Sequence, residues 1–155
     1  MTSNSERATE WAAAYGAGAV TFGAADAAWI GLAARRLYES EMPHLMSSTL
    51  SAAPALGFYA LYLAGTVHLA TRPGEERGMG RRIRDGAILG ACAYGAWGLT
   101  GAAVLDRFPV SVALIDMAWG AFGTALTAAV AGIAADRVRG RQRSRSLAPS
   151  RSPSR

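Results

Sequence analysis

The stretch VSVALIDMAWGAFGTALTAAVAGIAA, residues 110–135, is dominated by apolar and small residues and carries one charged residue, Asp116. About 20 predominantly apolar residues are enough to cross the hydrocarbon core of a bilayer as a helix. Three further runs share this character, at residues 11–34, 50–70 and 86–105. The first of them contains a second acid, Asp26. Because a backbone in hydrocarbon must satisfy its own hydrogen bonds, the sequence predicts four transmembrane helices.

Polar segments flank and connect these runs. Residues 1–10 carry mixed charge and precede the first run. Residues 136–155 are rich in arginine, serine and proline and have no apolar period, which predicts a disordered tail. The predicted fold class is therefore an all-α, polytopic membrane protein, a four-helix bundle with a disordered basic C-terminal tail.

The arginines predict the orientation of the bundle. All 16 basic residues are arginine, and 13 of them lie in the two terminal segments and in residues 72–85. Cytoplasmic loops carry the excess of positive charge in membrane proteins, so both termini are predicted to be cytoplasmic, in the inner (plasma) membrane. The lipid bilayer is the expected partner, and the tail is expected to contact anionic lipids. The arginines form no stripe with interleaved aromatic residues, which argues against nucleic acid.

Most catalytic and cofactor-binding classes lack their signatures here. The sequence contains no glycine-rich phosphate loop that follows a strand, no zinc-ligand spacing and no nucleophile elbow. The lone cysteine, Cys92, excludes an internal disulfide and is predicted to be a small buried packing residue. His68 lies near the cytoplasmic end of its run and is predicted to be locally bonded. We therefore predict no enzyme, no cofactor and no metal site.

The two acids are predicted to lie at one depth. A helix rises about 1.5 Å per residue, which places Asp26 and Asp116 about 13 Å and about 12 Å below the outer surface. Polar and aromatic side chains predicted at or near the same level complete a candidate site: Trp29, Trp119, Tyr59, Tyr62, Tyr94 and Thr100. Tryptophan and tyrosine at this depth are too far in for the interfacial belt, so they are expected to pack inside the bundle.

Two interpretations of this layer stay open at this point. In the first, each acid accepts hydrogen bonds from tyrosine, tryptophan or threonine, and the protein is structural or partner-binding. In the second, Asp26 and Asp116 form the site of a small proton- or cation-coupled transporter, because intramembrane acids are functional candidates by default. Glycine pairs such as Gly86 and Gly90 allow close helix packing, within one chain or in a homo-oligomer.

Four stretches together resemble the domain of unknown function family 2177, small predicted integral membrane proteins of bacteria. They are DAAWIGLAARRLY (26–38), ALGFYALYLAG (55–65), GAILGACAYGAWGLTGAAVLDRFP (86–109) and LIDMAWGAFGTAL (114–126). The resemblance covers about residues 12–135 and implies a bacterial membrane protein, with no established reaction. Members usually carry Y-D-L-T-N in the third helix, where this chain has WGLTG. Gly98 and Gly101 thus replace the family's acid and amide.

Overall fold

A computed structural model of the chain describes residues 3–47, 49 and 51–147. Four helices in it are long and apolar enough to cross a membrane: α1 (Asn4–Glu41), α2 (Ala52–Thr71), α3 (Met79–Val104) and α4 (Val110–Leu147). No strand occurs in this described part of the chain. The predicted all-α architecture of four candidate spans is therefore confirmed.

Helix α1 is longer than predicted at both ends. Ser3 and Glu6 form a capping box, in which the Ser3 side chain accepts from the Glu6 N–H and the Glu6 carboxylate accepts from the Ser3 N–H. Satisfying these exposed N–H groups fixes the start of the helix. At the other end, α1 passes through a π-helical turn, Ile30–Ala34, and continues beyond Arg35 to Glu41.

The predicted start of the disordered tail, at residue 136, is too early. Helix α4 continues to Leu147, because its extension is anchored on neighbouring segments. Arg139 donates to the Glu10 carboxylate at 3.1 Å, and Gln142 donates to the Glu6 carbonyl oxygen at 3.2 Å. Arginine is also a good helix former. Residues 148–155 of the predicted tail lie outside the described residues.

Glycines set the contact between α3 and α4. A Cβ atom placed on Gly90 would lie 1.9 Å from the Gly120 carbonyl oxygen, and one placed on Gly98 would lie 2.9 Å from the Ala113 Cα. The two backbones can approach this closely only because neither glycine has a side chain. The predicted small-residue packing therefore operates within this chain, between antiparallel neighbours.

The position of Cys92 follows from its place on α3 relative to the buried glycines. Gly86, Gly90 and Gly98 are buried on the inner face of α3, whereas Cys92 is exposed. A shift of two residues along a helix turns a side chain about 200° from the inner face. The prediction that Cys92 is buried was therefore wrong, because it took account of residue type and not of helix phase.

Helix α2 is the loosely held member of the bundle. Its second half packs tightly, and Tyr62, Thr66, Val67, Ala70 and Thr71 are all buried. In its first half, by contrast, residues 52–61 are exposed except for Tyr59, which is half-buried. The first half of α2, residues 52–61, therefore stands away from a frame formed by α1, α3 and α4.

Candidate functional site

The two intramembrane acids are both buried, and together with the residues that contact them they form the polar layer of the bundle. Asp26, on α1, is 7% exposed, and Asp116, on α4, is 2% exposed. Trp119, which donates to Asp26, lies one turn beyond Asp116 on α4. No hydrogen bond or ion pair joins them to an arginine or histidine among the described residues. This layer of the described structure therefore holds two acids without a cationic partner.

Asp26 joins three helices through its carboxylate. The Tyr59 hydroxyl of α2 donates to Oδ2, and the Trp119 indole Nε1 of α4 donates to Oδ1 at 3.3 Å. Trp29, one turn beyond Asp26, stacks on Trp119 with ring centroids 4.9 Å apart and an interplanar angle of 8°. Both oxygens of Asp26 thus have donors, and one of those donors is held in place by an aromatic stack.

Only one of the two carboxylate oxygens of Asp116 accepts a hydrogen bond from the residues that the structure describes. The Tyr38 hydroxyl donates to its Oδ2 at 2.6 Å. Its Oδ1 atom is buried and accepts no hydrogen bond from any residue that the structure describes. The two acids, which are similar in sequence context, therefore differ in chemistry: each oxygen of Asp26 has a donor, whereas one oxygen of Asp116 has none.

Tyr38 is the member of this layer that sequence reasoning missed. Arg35 and Arg36 predicted the membrane edge, so residues beyond them were expected outside the bundle. In the structure α1 continues past these exposed arginines, and Arg35 donates to Glu39 one turn later at 2.8 Å. The i, i+4 spacing of Arg35 and Glu39 is visible in the sequence and favours an uninterrupted helix. The continued helix places Tyr38 beside Asp116.

Tyr62 bonds to Thr124, a residue that was not among the predicted site residues. The Thr124 hydroxyl donates its single proton to the Gly120 carbonyl oxygen at 2.6 Å. Tyr62 must therefore be the donor in the 2.6 Å contact between the Tyr62 hydroxyl and Thr124 Oγ1. These hydrogen bonds join the second half of α2 to α4 at Gly120, where α4 packs on Gly90 of α3.

Tyr94 and Thr100 were both predicted in the layer, but only Tyr94 is found there. The Tyr94 ring covers Gly120, one turn beyond Asp116 on α4. The Tyr94 hydroxyl has no hydrogen-bond partner among residues 3–47, 49 and 51–147. Thr100 is exposed, and its hydroxyl bonds back to the Ala96 and Trp97 carbonyls of its own helix.

A second polar cluster lies at the end of the bundle that carries the termini. Arg82 is 1% exposed and donates to Asp136 at 2.6 Å and 3.1 Å and to the Thr71 carbonyl oxygen at 3.1 Å. The Glu10–Arg139 pair lies nearby. Sequence reasoning assigned these residues to loops and the tail, and only the lengths of α3 and α4 bring them together.

His68 lies apart from the acids. Its Nδ1 is 2.9 Å from both the Ala64 carbonyl oxygen and the Tyr15 hydroxyl, and its ring packs on Trp11 at 4.6 Å. The prediction of a locally bonded histidine is confirmed. No group of three or more histidine, cysteine, aspartate or glutamate side chains that could hold a metal ion occurs in the described ranges.

The comparisons agree with this architecture. Residues 11–133 match the family described as "Predicted membrane protein (DUF2177)". The match spans the four predicted transmembrane runs except residues 134 and 135 and includes every residue of the polar layer. No curated protein and no solved structure matches the chain.

Proposed function

This chain belongs to the DUF2177 family of predicted membrane proteins, and on that premise we propose that it is a structural or partner-binding component of its membrane. The observation that carries the proposal is the carboxylate of Asp26, which receives a donor on each oxygen, one from α2 and one from α4. A central aspartate costs about 2.5–3.5 kcal/mol to insert, and bonded donors offset that cost. Such an arrangement suits a group that fixes helix packing.

The same proposal includes the place and the partners of the protein. Thirteen of the 16 arginines lie in the terminal segments and residues 72–85, which supports cytoplasmic termini in an inner membrane. Arg141 and Arg145 are exposed one turn apart on the extension of α4, where they suit anionic lipid headgroups. Gly16 and Gly23 face open space on α1 and suit close contact with a second copy. The activity proposed is non-enzymatic.

The orientation has a direct test in a reporter fused after Arg155. A reporter that is active only in the cytoplasm should be active at this position, and the same reporter inserted after Arg107 should be silent. The reason is the excess of arginine at the end that carries the termini. The reverse pattern of activity would reject the proposed orientation.

The structural proposal predicts that the two acids respond differently to the same substitution. Asp26→Asn places an amide N–H2 group opposite a tyrosine O–H or an indole N–H, so one buried donor loses its acceptor. We expect a loss of about 1–3 kcal/mol of stability. Asp116→Asn keeps an acceptor for Tyr38 and removes a buried charge that has no cation, so its stability should be unchanged or higher.

Thermal midpoints of the two purified variants in detergent, at neutral pH, provide the measurement. Each variant is the matched control of the other, since both replace a buried aspartate by asparagine in the same layer. An Asp116→Asn midpoint as low as that of Asp26→Asn, or lower, would contradict the assignment of Asp26 as the packing residue.

A second candidate function is proton- or cation-coupled transport, and the observation that favours it is the unpartnered Oδ1 of Asp116. A buried carboxylate oxygen without a donor can take up a proton or face a cation. The same two variants in proteoliposomes test this candidate. Flux driven by a pH gradient should be present in the wild type and lost in Asp116→Asn. Absence of such flux in the wild type rejects transport and leaves the structural proposal standing.

A further inference from the structure

An aromatic groove lies between α2 and α3, on the exposed surface of two candidate membrane spans. Because the first half of α2 stands away from the frame, a space of about 320 Å³ remains, lined by Phe58, Ala93, Tyr94 and Trp97. Trp97 is 60% exposed, and Phe58 is exposed as well. This volume is within the range of small-molecule sites, and a ligand could reach it from the hydrocarbon of the bilayer.

The lining of the groove has a clear chemical preference. Three of its four residues are aromatic, and their ring faces attract organic cations. Phe58 is itself stacked on Tyr62 at 5.1 Å, and Trp97 packs edge-on against Phe108 at 6.0 Å. Those contacts hold two of the rings in place beside the groove.

A buried carboxyl group without a cationic partner lies behind the groove. Tyr94 forms part of the wall, and its ring packs on Gly120, one helical turn beyond Asp116 on α4. Asp116 is the acid with a buried, unpartnered oxygen, and no described arginine or histidine pairs with it. A charge of this kind attracts a cation strongly because the surrounding dielectric constant is low.

These features exclude a bare metal ion as the preferred occupant. Hard inorganic cations need about six oxygen ligands, whereas the described residues offer Asp116 Oδ1 and the Tyr94 hydroxyl as free oxygens. An organic cation needs aromatic faces and one counter-charge, and both are present here.

We propose that the groove between α2 and α3 binds a lipophilic organic cation that enters from the bilayer, with Phe58, Tyr94 and Trp97 around its charge and Asp116 as the counter-ion. This inference rests on the second candidate function only in assigning a cation to Asp116, and it requires no transport. Asp26 keeps its structural role, because its oxygens are already bonded to Tyr59 and Trp119.

The test uses the full chain in lipid nanodiscs and tetraphenylphosphonium as the probe, with binding measured by calorimetry. Wild type is expected to bind the probe saturably, and Asp116→Asn to bind it at least about tenfold more weakly. Trp97→Ala should weaken binding about fivefold or more, whereas Trp97→Phe should largely restore it. Affinity should fall as the pH is lowered, because protons compete for Asp116.

Two controls separate the cation site from a merely apolar groove. Triphenylphosphine oxide, a neutral aromatic compound, should not compete with the probe. Leu99→Ala, an exposed position on the same helix outside the groove, should bind like the wild type. Equal competition by the neutral compound, or equal binding by Asp116→Asn and wild type, would overturn the proposal.

Proton-coupled flux in proteoliposomes distinguishes this proposal from the second candidate function. Saturable binding without flux retains the cation site and rejects transport, whereas flux without binding rejects the cation site. If Asp116→Asn fails to fold, the comparison of Trp97→Ala with Trp97→Phe still decides. Equal affinities in those two variants would overturn the role of the aromatic wall.

Discussion

Gly90→Ala is expected to destabilise this protein severely. The added Cβ would lie 1.9 Å from the Gly120 carbonyl oxygen, 2.5 Å from the Gly120 carbonyl carbon and 2.6 Å from Thr124 Oγ1. The first two of these atoms belong to the backbone of α4, so no side-chain rotation can relieve the clash. Overpacking of a tight core costs about 1–3 kcal/mol and occasionally more, and we expect Gly90→Ala to lose about 3 kcal/mol of stability or more.

The measurement is the thermal midpoint of the purified variant in detergent, with Gly57→Ala as its matched control. Gly57 is also a helical glycine, on α2, and a Cβ there would meet no atom within 4 Å. Alanine favours the helix over glycine by about 1 kcal/mol, so Gly57→Ala should leave the midpoint unchanged or raise it. Similar midpoints for the two variants would show that α3 and α4 do not pack as closely as described.

Arg82→Ala is expected to have the next largest effect. The guanidinium of Arg82 forms two hydrogen bonds to Asp136 and one to the Thr71 carbonyl oxygen, and its stem packs over Gly132. Breaking a buried pair costs about 3–5 kcal/mol. Asp136 is 46% exposed and regains water when Arg82 is lost, so we expect about 2–3 kcal/mol.

Arg81→Ala is the control for Arg82→Ala, since Arg81 is the exposed neighbour on the same helix and takes part in no ion pair among the described residues. Its thermal midpoint should match that of the wild type. The thermal midpoint of Asp136→Asn should lie between those of Arg81→Ala and Arg82→Ala, because an asparagine oxygen still accepts one hydrogen bond from Arg82. Equal loss in Arg81→Ala and Arg82→Ala would contradict the buried network at this end of the bundle.

Hydropathy was sufficient to predict the four spans and the two acids, because an apolar run with one charge is informative whatever its neighbours are. The hydrogen-bond donors to the two acids could not be predicted from hydropathy alone. Tyr59 and Trp119 could be expected from depth alone, and both are found on Asp26. Tyr38 could not, because Arg35 and Arg36 suggested the membrane edge and only the continued helix brings it to Asp116.

Thr100 and Cys92 were misassigned because neither depth nor residue type shows which face of a helix points inward. Thr100 lies at a suitable depth, but its hydroxyl is bonded to its own helix on the exposed side. Cys92 is small and apolar, yet it is opposite the glycine face. In an alanine- and glycine-rich helix the apolar residues lie on every side, so the sequence pattern indicates length and leaves the inward face undetermined.

Helix α1, the first to be synthesised, has its principal contacts with the last. Asp26 receives its indole donor from residue 119, and Glu10 receives its guanidinium from residue 139. During synthesis, α1 must therefore enter the bilayer with an acid for which the described part of the next helix supplies one partner, Tyr59. Contacts so distant in sequence form late, so the arrival of α4 is the step that completes the assembly. A chain truncated before α4 would leave the acid of α1 without its indole partner, so an intact α4 is needed to complete the hydrogen bonding of Asp26.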